Sequence, residues 1–461
     1  MNEEKIPLKS RVWLAGADGL CATLSGLVTG GGLTYFFTRW MGLDVGKASL
    51  VWILFGIWNA FNDPLFGYIS DKTKSKIGRR LPYIRYGSFF YAAIFILSWI
   101  KFPFAGNQWA MFAQMLTSLF LFDTLYTSIA TALYVMPYEM AVSNKARGSI
   151  FVWKIVFSLV SLSAPLVILP LIQPEPGQDA TRFQIIMAAI GIVAGLVIFF
   201  STFFYSEKGY VKEQEQPPFF KSLIICFKNK PFVIFEVLSF TVVYIQTSLM
   251  QGVLYYFAEF KEVSMVPCYA ALAIGVVAGV ILYINKNSTW GLRKCVIFMC
   301  STFSLSCFAM SFFGGNTIVA IIGFFITGLG FAGGMYLVPL MNGDVIDFDE
   351  NLTSVRREGM YAGVNSFITK PAISLANAAF VEIIAAFGYI QDAPSGTQSA
   401  SAQSGILIAW MLIPAILLLI CFFSMFAYPL HGESWKQKKD ELEHLHIEKE
   451  KEYLKSLGFS E

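Results

Sequence analysis

The sequence predicts an all-α polytopic membrane protein whose twelve spans fall into two six-helix bundles, on three observations. Of 461 residues, 56% are hydrophobic, 16% aromatic and 14% charged, a balance that cannot clothe a soluble core in a surface of ordinary polarity. Apolar runs of roughly 20 residues or more, enough to cross about 30 Å of hydrocarbon as helices, recur along the whole length. A polar segment, Ser206–Lys230, divides these runs into two equal sets.

In the first half the spans are expected at 12–40, 46–70, 82–104, 107–136, 149–173 and 183–206. In the second they are expected at 231–260, 264–286, 290–314, 316–342, 358–390 and 402–428. Span one starts after Arg11 and carries Gly26, Gly30, Gly31 and Gly32, a run that favours close helix approach or local unwinding. Span two closes on the basic loop Lys72, Lys74, Lys76, Arg79 and Arg80. Basic clusters recur at 145–147, 286–294 and 356–357, in alternate loops, whereas the intervening loops hold isolated cations such as Lys47, Lys101, Arg182 and Lys261. The positive-inside rule then predicts both termini in the cytoplasm. The expected organisation is an N-terminal bundle over 1–205, a cytoplasmic linker over 206–230, a C-terminal bundle over 231–430 and a charged tail over 431–461. In that tail Trp435, Leu442, Leu445, Tyr453 and Leu457 form a loose amphipathic stripe, read as a helix lying on the cytoplasmic face or as a solvated one.

Several chemistries are disfavoured. The polar N-terminus has no small-residue cleavage site after it, so no removable signal peptide is expected and span one is its own insertion signal. A net charge of +3, with its cations in loops, argues for contact with anionic headgroups and against nucleic acid. Seven scattered cysteines form no CxxC pair, and His431, His444 and His446 all follow the last span, so neither a zinc site nor a disulfide framework is expected. HExxH, GxSxG and P-loop patterns are absent, so an enzyme is not expected, nor a cofactor beyond a coupling Na⁺ or H⁺.

The most informative stretch is Trp58-Asn59-Ala60-Phe61-Asn62-Asp63-Pro64, which keeps a carboxylate inside an apolar run. An ionisable group at membrane depth is costly and marks an ion or solute path. The halves also echo one another. Pro137-Tyr138-Glu139 leads to Arg147-Gly148, and Pro339 leads through Asp344 to Arg357-Glu358-Gly359, a repeat suited to alternating access.

These motifs resemble the glycoside-pentoside-hexuronide:cation symporter family of the major facilitator superfamily. The resemblance rests on Asn59–Arg85, with its NDP, Gly67-x-x-x-Asp71 and Gly78-Arg79-Arg80, and on Asp18, Val135-Met-Pro-Tyr-Glu139, Gly343-Asp-Val-Ile-Asp347, Arg356-Arg-Glu-Gly359, Lys370 and Gly388-Tyr389. It covers nearly the whole chain in the family's order and implies a major facilitator fold and cation-coupled symport of a small glycoside-like solute.

Residue by residue, the resemblance implies that Asp63 is the coupling carboxylate. The sodium-coupled members carry a second Asp one turn earlier, where this chain has Asn59, so one carboxylate fewer faces the cation and a proton becomes a credible ion. Alternatively Asp63 caps its helix or pairs with a cation. Lys370 matches a lysine facing the cation site, and a salt bridge to Asp63 is the natural pairing; snorkelling to an interface is the other reading. Asp18 matches the carboxylate that accepts two hydrogen bonds from sugar hydroxyls, and Lys154 falls, within one residue, where the family has a substrate-contacting Arg. Interfacial roles for both remain open at this stage.

The family's other sugar-site Asp has no counterpart, since Ile129 stands there; Asp123, nearly two turns earlier, offers a carboxylate at a different height. Leu121-Phe-Asp123-Thr also resembles the branch that contains a vertebrate lysophospholipid transporter, which makes an amphiphile the alternative solute. Tyr35, Tyr126, Trp153, Tyr244 and Tyr361 are candidates for stacking on a solute, against packing or interfacial roles. Cytoplasmic gating pairs are expected between Glu139 and Arg147, between Asp71 and Arg79 or Arg80, and between Asp344 or Asp347 and Arg356 or Arg357. A ligand-binding membrane protein that does not transport is the reading from another class. A functional monomer in a bacterial or archaeal plasma membrane completes the expectation.

Overall fold

The computed structural model describes residues 5–71, 73, 75–102, 106–141, 144–174, 178–207, 219–353 and 357–456. The side chains of Asp63 and Asp71, and the whole of Arg356, lie outside the described residues. The described chain is helical. The long helices are α1 (Leu8–Trp40), α2 (Val45–Asp71), α3 (Leu81–Leu97), α4 (Gln108–Met140), α5 (Asn144–Ile172) and α6 (Thr181–Ser201). After a short linker helix, Phe219–Lys228, come α7 (Lys230–Glu259), α8 (Met265–Trp290), α9 (Leu292–Phe313), α10 (Thr317–Thr353), α11 (Glu358–Ala386) and α12 (Ala400–Ala427), then a tail helix, Glu433–Ser456. Among the described residues ten of these runs are long and apolar enough to cross a membrane, and α3 is a shorter apolar helix.

Three boundaries depart from expectation for physical reasons. Span three ends at Leu97 rather than at residue 104. Lys101 and Pro103 follow too closely for the helix to continue, and the carbonyls freed at its end find side-chain donors. Gln184 Nε2 donates to Trp99 O and Gln114 Nε2 to Ile100 O. Span ten runs on to Thr353, so that the Gly343–Phe348 motif lies within a helix rather than in a loop. Span one breaks at Gly30–Gly31, where Gly31 takes φ +91°, a conformation only glycine adopts readily, and then widens to a π turn over Phe36–Trp40.

The contacts divide the chain into two compact units, Met1–Asp44 with Ile57–Glu215 and Glu443–Glu461, and Val45–Gly56 with Gln216–Leu442. The division after Glu215 falls inside the expected linker. In the first unit α1 packs along α5, and α3 packs against α4 and α6. Glycine makes the α1–α5 approach possible: a Cβ at Gly19 would lie 2.9 Å from Phe157 Cβ and one at Gly26 2.7 Å from Pro165 Cγ. Ser161 Oγ donates across that contact to Gly19 O at 2.6 Å. The glycine run of span one thus serves both of its expected purposes, close approach and a local break.

In the second unit α10 packs against α8 and α9, and α7 against α11 and α12. The α8–α10 contact is close, with Gly275 and Gly279 spaced four apart on one face and Gly328 opposite. A Cβ at Gly275 would fall onto the carbonyl oxygen of Phe325, and one at Gly328 onto that of Leu272. Gly275→Val is expected to destabilise the detergent-solubilised protein by about 1–3 kcal/mol, seen as a lower unfolding temperature by intrinsic fluorescence. Gly363→Ala, where an added Cβ meets nothing within 4 Å, should lower it little or not at all.

Candidate functional site

The interior of the first unit carries the charges. Asp18 lies on α1 beside Gly19, which lets α5 come close. Its Oδ2 lies 3.2 Å from Lys154 Nζ on α5, with the two side chains 29% and 12% exposed. Lys154 Nζ also donates to Leu133 O on α4 at 3.2 Å. That carbonyl is free because the residue four positions on is Pro137, which has no N–H to give it. A proline inside α4 and a lysine inside α5 therefore answer one another. Sequence reasoning picked Asp18 and Lys154 separately, and the structure joins them as an ion pair.

Above Asp18 on the same helix, Cys21 O accepts from Tyr91 Oη on α3 at 2.9 Å. The Tyr91 ring stacks on Phe122 and lies 6.4 Å from Tyr126 on α4. Tyr126 and Trp153 are half-buried, so each keeps part of its surface accessible. Tyr35, Tyr244 and Tyr361 are buried, and Tyr244 sits in an apolar cluster with Ala372 and Ala376.

A second polar cluster joins α2 to α4. Asn62 Nδ2 donates to Asp123 Oδ2 at 2.6 Å and lies 3.0 Å from Thr127 Oγ1, all three residues being buried. Asp123 was grouped with the solute residues by sequence, but its described hydrogen bond is to the neighbour of Asp63. Asn62 itself was given no role, although the NDP motif names it. Among the described residues the buried amide oxygens Asn59 Oδ1 and Asn62 Oδ1 have no hydrogen-bond partner. Lys370 is half-buried on α11, and its expected partner Asp63 has its side chain outside the described residues.

Among the described residues, Glu139 and Asp344 meet partners other than those expected. Glu139, buried at the end of α4, pairs with Arg79 Nη2 at 2.5 Å and not with Arg147. Beyond Met140 the chain turns extended at Ala141, and Arg147 folds back to donate to Ala141 O at 2.9 Å with its guanidinium over Tyr138. Arg80 is buried. The pairing expected for Asp71 lies outside the described residues, as does Arg356.

In the second unit Arg357 pairs with Asp349 at 3.6 Å, because α10 runs on past Asp344 and Asp347 to bring Asp349 to that level. Asp344 is engaged by Lys439 of the tail helix, whose Trp435 packs on Phe348. Trp435 and Leu442 are buried while Leu445 is exposed, so the first half of the tail helix is docked.

Glu207, which sequence reasoning left in the linker, proves central at this end of the first unit. Its carboxylate accepts from the backbone N–H groups of Arg79, Arg80 and Leu81 at 2.9, 2.8 and 3.1 Å, satisfying donors at the start of α3 that the helix leaves free. Gly78, at φ +118°, is the residue that admits it, since a Cβ there would strike the carboxylate. In the linker helix, burial first and then the charges of Asp349 and Glu236 push the Cys226 thiol up to about 12. Among the described residues no group of three or more His, Cys, Asp or Glu is placed to hold a metal ion.

Apolar helices of membrane-crossing length, with an ion pair and amide–carboxylate bonds kept in their interior, define a polytopic membrane protein of the transporter class. Residues 15–432 match the family described as MFS/sugar transport protein, and the chain belongs to that family. It is 23% identical to an uncharacterized symporter, YnaJ, of Bacillus subtilis (strain 168), over 96% of both chains. It is also 23% identical to the glucuronide carrier protein homolog of Escherichia coli (strain K12), over 88% of this chain and 89% of that one. The crystal structure of a D-xylose-proton symporter aligns with a TM-score of 0.63 at 12% identity, covering 91% of this chain and 97% of that one, which shows the major facilitator fold.

Replacing Glu207 by Ala leaves three N–H groups at the start of α3 without their acceptor. The expected loss is about 1–3 kcal/mol, with Glu207→Gln recovering part of it through the retained amide oxygen. Thermal unfolding of the purified protein measures both, and equal stability of Glu207→Ala and wild type would show the cap to be dispensable.

Proposed function

We propose that the protein is a secondary active transporter that couples symport of a small sugar-like solute to a cation, by alternating access, with Asp63 as the coupling carboxylate. The observation that carries this reading is the Asp18–Lys154 pair, a charged donor–acceptor couple inside a helical unit that remains partly accessible. A carboxylate accepts two hydrogen bonds from adjacent hydroxyls, and an ammonium donates three, so a polyol can exchange for each half of the pair without leaving the other charge bare. Relatives named as a glucuronide carrier homolog and an isoprimeverose transporter support a glycoside-like solute.

For the cation, Asn59 Oδ1 and Asn62 Oδ1 supply neutral oxygens one turn and one residue before Asp63. Hard oxygens of this kind suit Na⁺, and a protonated Asp63 needs such acceptors equally, so the imposed gradient decides between Na⁺ and H⁺. We place the protein in the inner membrane, with both termini cytoplasmic, as a functional monomer.

The test is uptake of labelled glycosides, uronides and lysophospholipids into proteoliposomes under an Na⁺ or H⁺ gradient. One gradient should drive uptake of a glycoside or uronide, and Asp63→Asn should abolish that coupling. Lys154→Gln should raise the half-saturation concentration about ten- to a hundredfold, the scale of a lost charge-assisted hydrogen bond. Uptake that survives Asp63→Asn unchanged would assign Asp63 a structural role, and binding without uptake would mark a non-transporting receptor.

A further inference from the structure

The second unit buries a carboxyl of its own. Glu236 lies on α7, six residues past Lys230 and so about 9 Å along the helix, and it is 5% exposed. Among the described residues it meets no cation. Its neighbours are neutral: Ser239, one turn on, and Asn365 across on α11.

The three side chains form one hydrogen-bonded set. Asn365 presents its amide nitrogen, with Nδ2 3.2 and 3.3 Å from Glu236 Oε1 and Oε2 and 2.8 Å from Ser239 Oγ. That orientation serves the ionised carboxylate. A protonated Glu236 has a donor of its own, and the amide turned by 180° would present Oδ1 to accept it.

Among the described residues no cation is paired with Glu236. The elements packed on α7 are α10, α11, α12 and the linker helix. From α10 and the start of α11 come Asp349 and Arg357, which are paired with each other. Tyr361 of α11 accepts from Asn229 Nδ2 at 2.9 Å. From the linker helix comes the neutral Cys226, and from α12 the Cys421 thiol, which donates to Thr241 Oγ1 on α7. A charge brought into such a place without a partner costs several kcal/mol.

We propose that Glu236, with Asn365 and Ser239, is a proton-binding site of the second unit, separate from the coupling carboxylate proposed at Asp63. Binding forms one O–H bond at the Glu236 carboxylate and turns the Asn365 amide from donor to acceptor; release reverses both. The proposal does not depend on which solute is carried or on Asp63 being the coupling group.

Infrared difference spectroscopy of the full-length protein in lipid vesicles, titrated in pH without solute, tests it. A carboxylic-acid C=O band should titrate in wild type, vanish in Glu236→Gln and persist in Asp63→Asn. Asn365→Ala, which removes the acceptor, should shift that band to higher frequency, and serves if Glu236→Gln fails to fold. A band unchanged by Glu236→Gln, or unshifted by Asn365→Ala, overturns the proposal. Loss of the band in Asp63→Asn alone would place the only titrating proton at Asp63 and overturn the second site without touching the coupling reading.

Discussion

A polar group carried into hydrocarbon is costly unless it brings a partner with it, because no water is there to supply one. The interior of this protein is organised by that constraint. Lys154 satisfies both the Asp18 carboxylate and the carbonyl that Pro137 leaves free on α4. Ser161 gives its hydroxyl to Gly19 O, and Asn62 gives its amide to Asp123. Each of these bonds runs between helices, so polar satisfaction and helix packing are one problem. Glycines at 19, 26, 275, 279 and 328 bring the backbones near enough for it to be solved.

The same constraint explains what the sequence made legible. A bilayer of nearly fixed thickness sets the length of each apolar run, so the long helices were readable from hydropathy alone. Asp18 and Lys154 stood out for the complementary reason, as charges where charges are costly. Glu207 and Glu236 lie near the ends of apolar runs, where a glutamate is unremarkable by composition, and Asn62 carries no charge to draw the eye. Their roles depend on neighbours 128 residues away for Glu207 and Arg79, or on another helix altogether. The choice among ion partners was also unreadable: Glu139 has Arg147 eight residues on, yet the extended turn at Ala141 directs that arginine elsewhere and leaves Glu139 to Arg79.

The two halves echo each other in sequence more closely than in bonding. In the second unit the end of α10 is tied to the start of α11 by Asp349 and Arg357. In the first, the end of α4 is tied to the start of α3 by Glu139 and Arg79, while α5 is held by hydrogen bonds to α4 and by the pair with α1. The second unit has in addition a docked tail helix on Asp344. Duplicated motifs have thus been put to different use, and the asymmetry is concentrated at these helix ends, where a few side chains decide which neighbour a helix follows.

The cap on α3 has a consequence for how the chain is made. The three N–H groups at its start are satisfied by a carboxylate that lies 126 residues beyond Leu81. At roughly 5–20 residues per second, synthesis of that stretch takes roughly 6–25 s. Through that interval α3 stands in the membrane with an open amino end, and the arrival of Glu207 closes it. The cap can therefore close only after all six helices of the first half have been made.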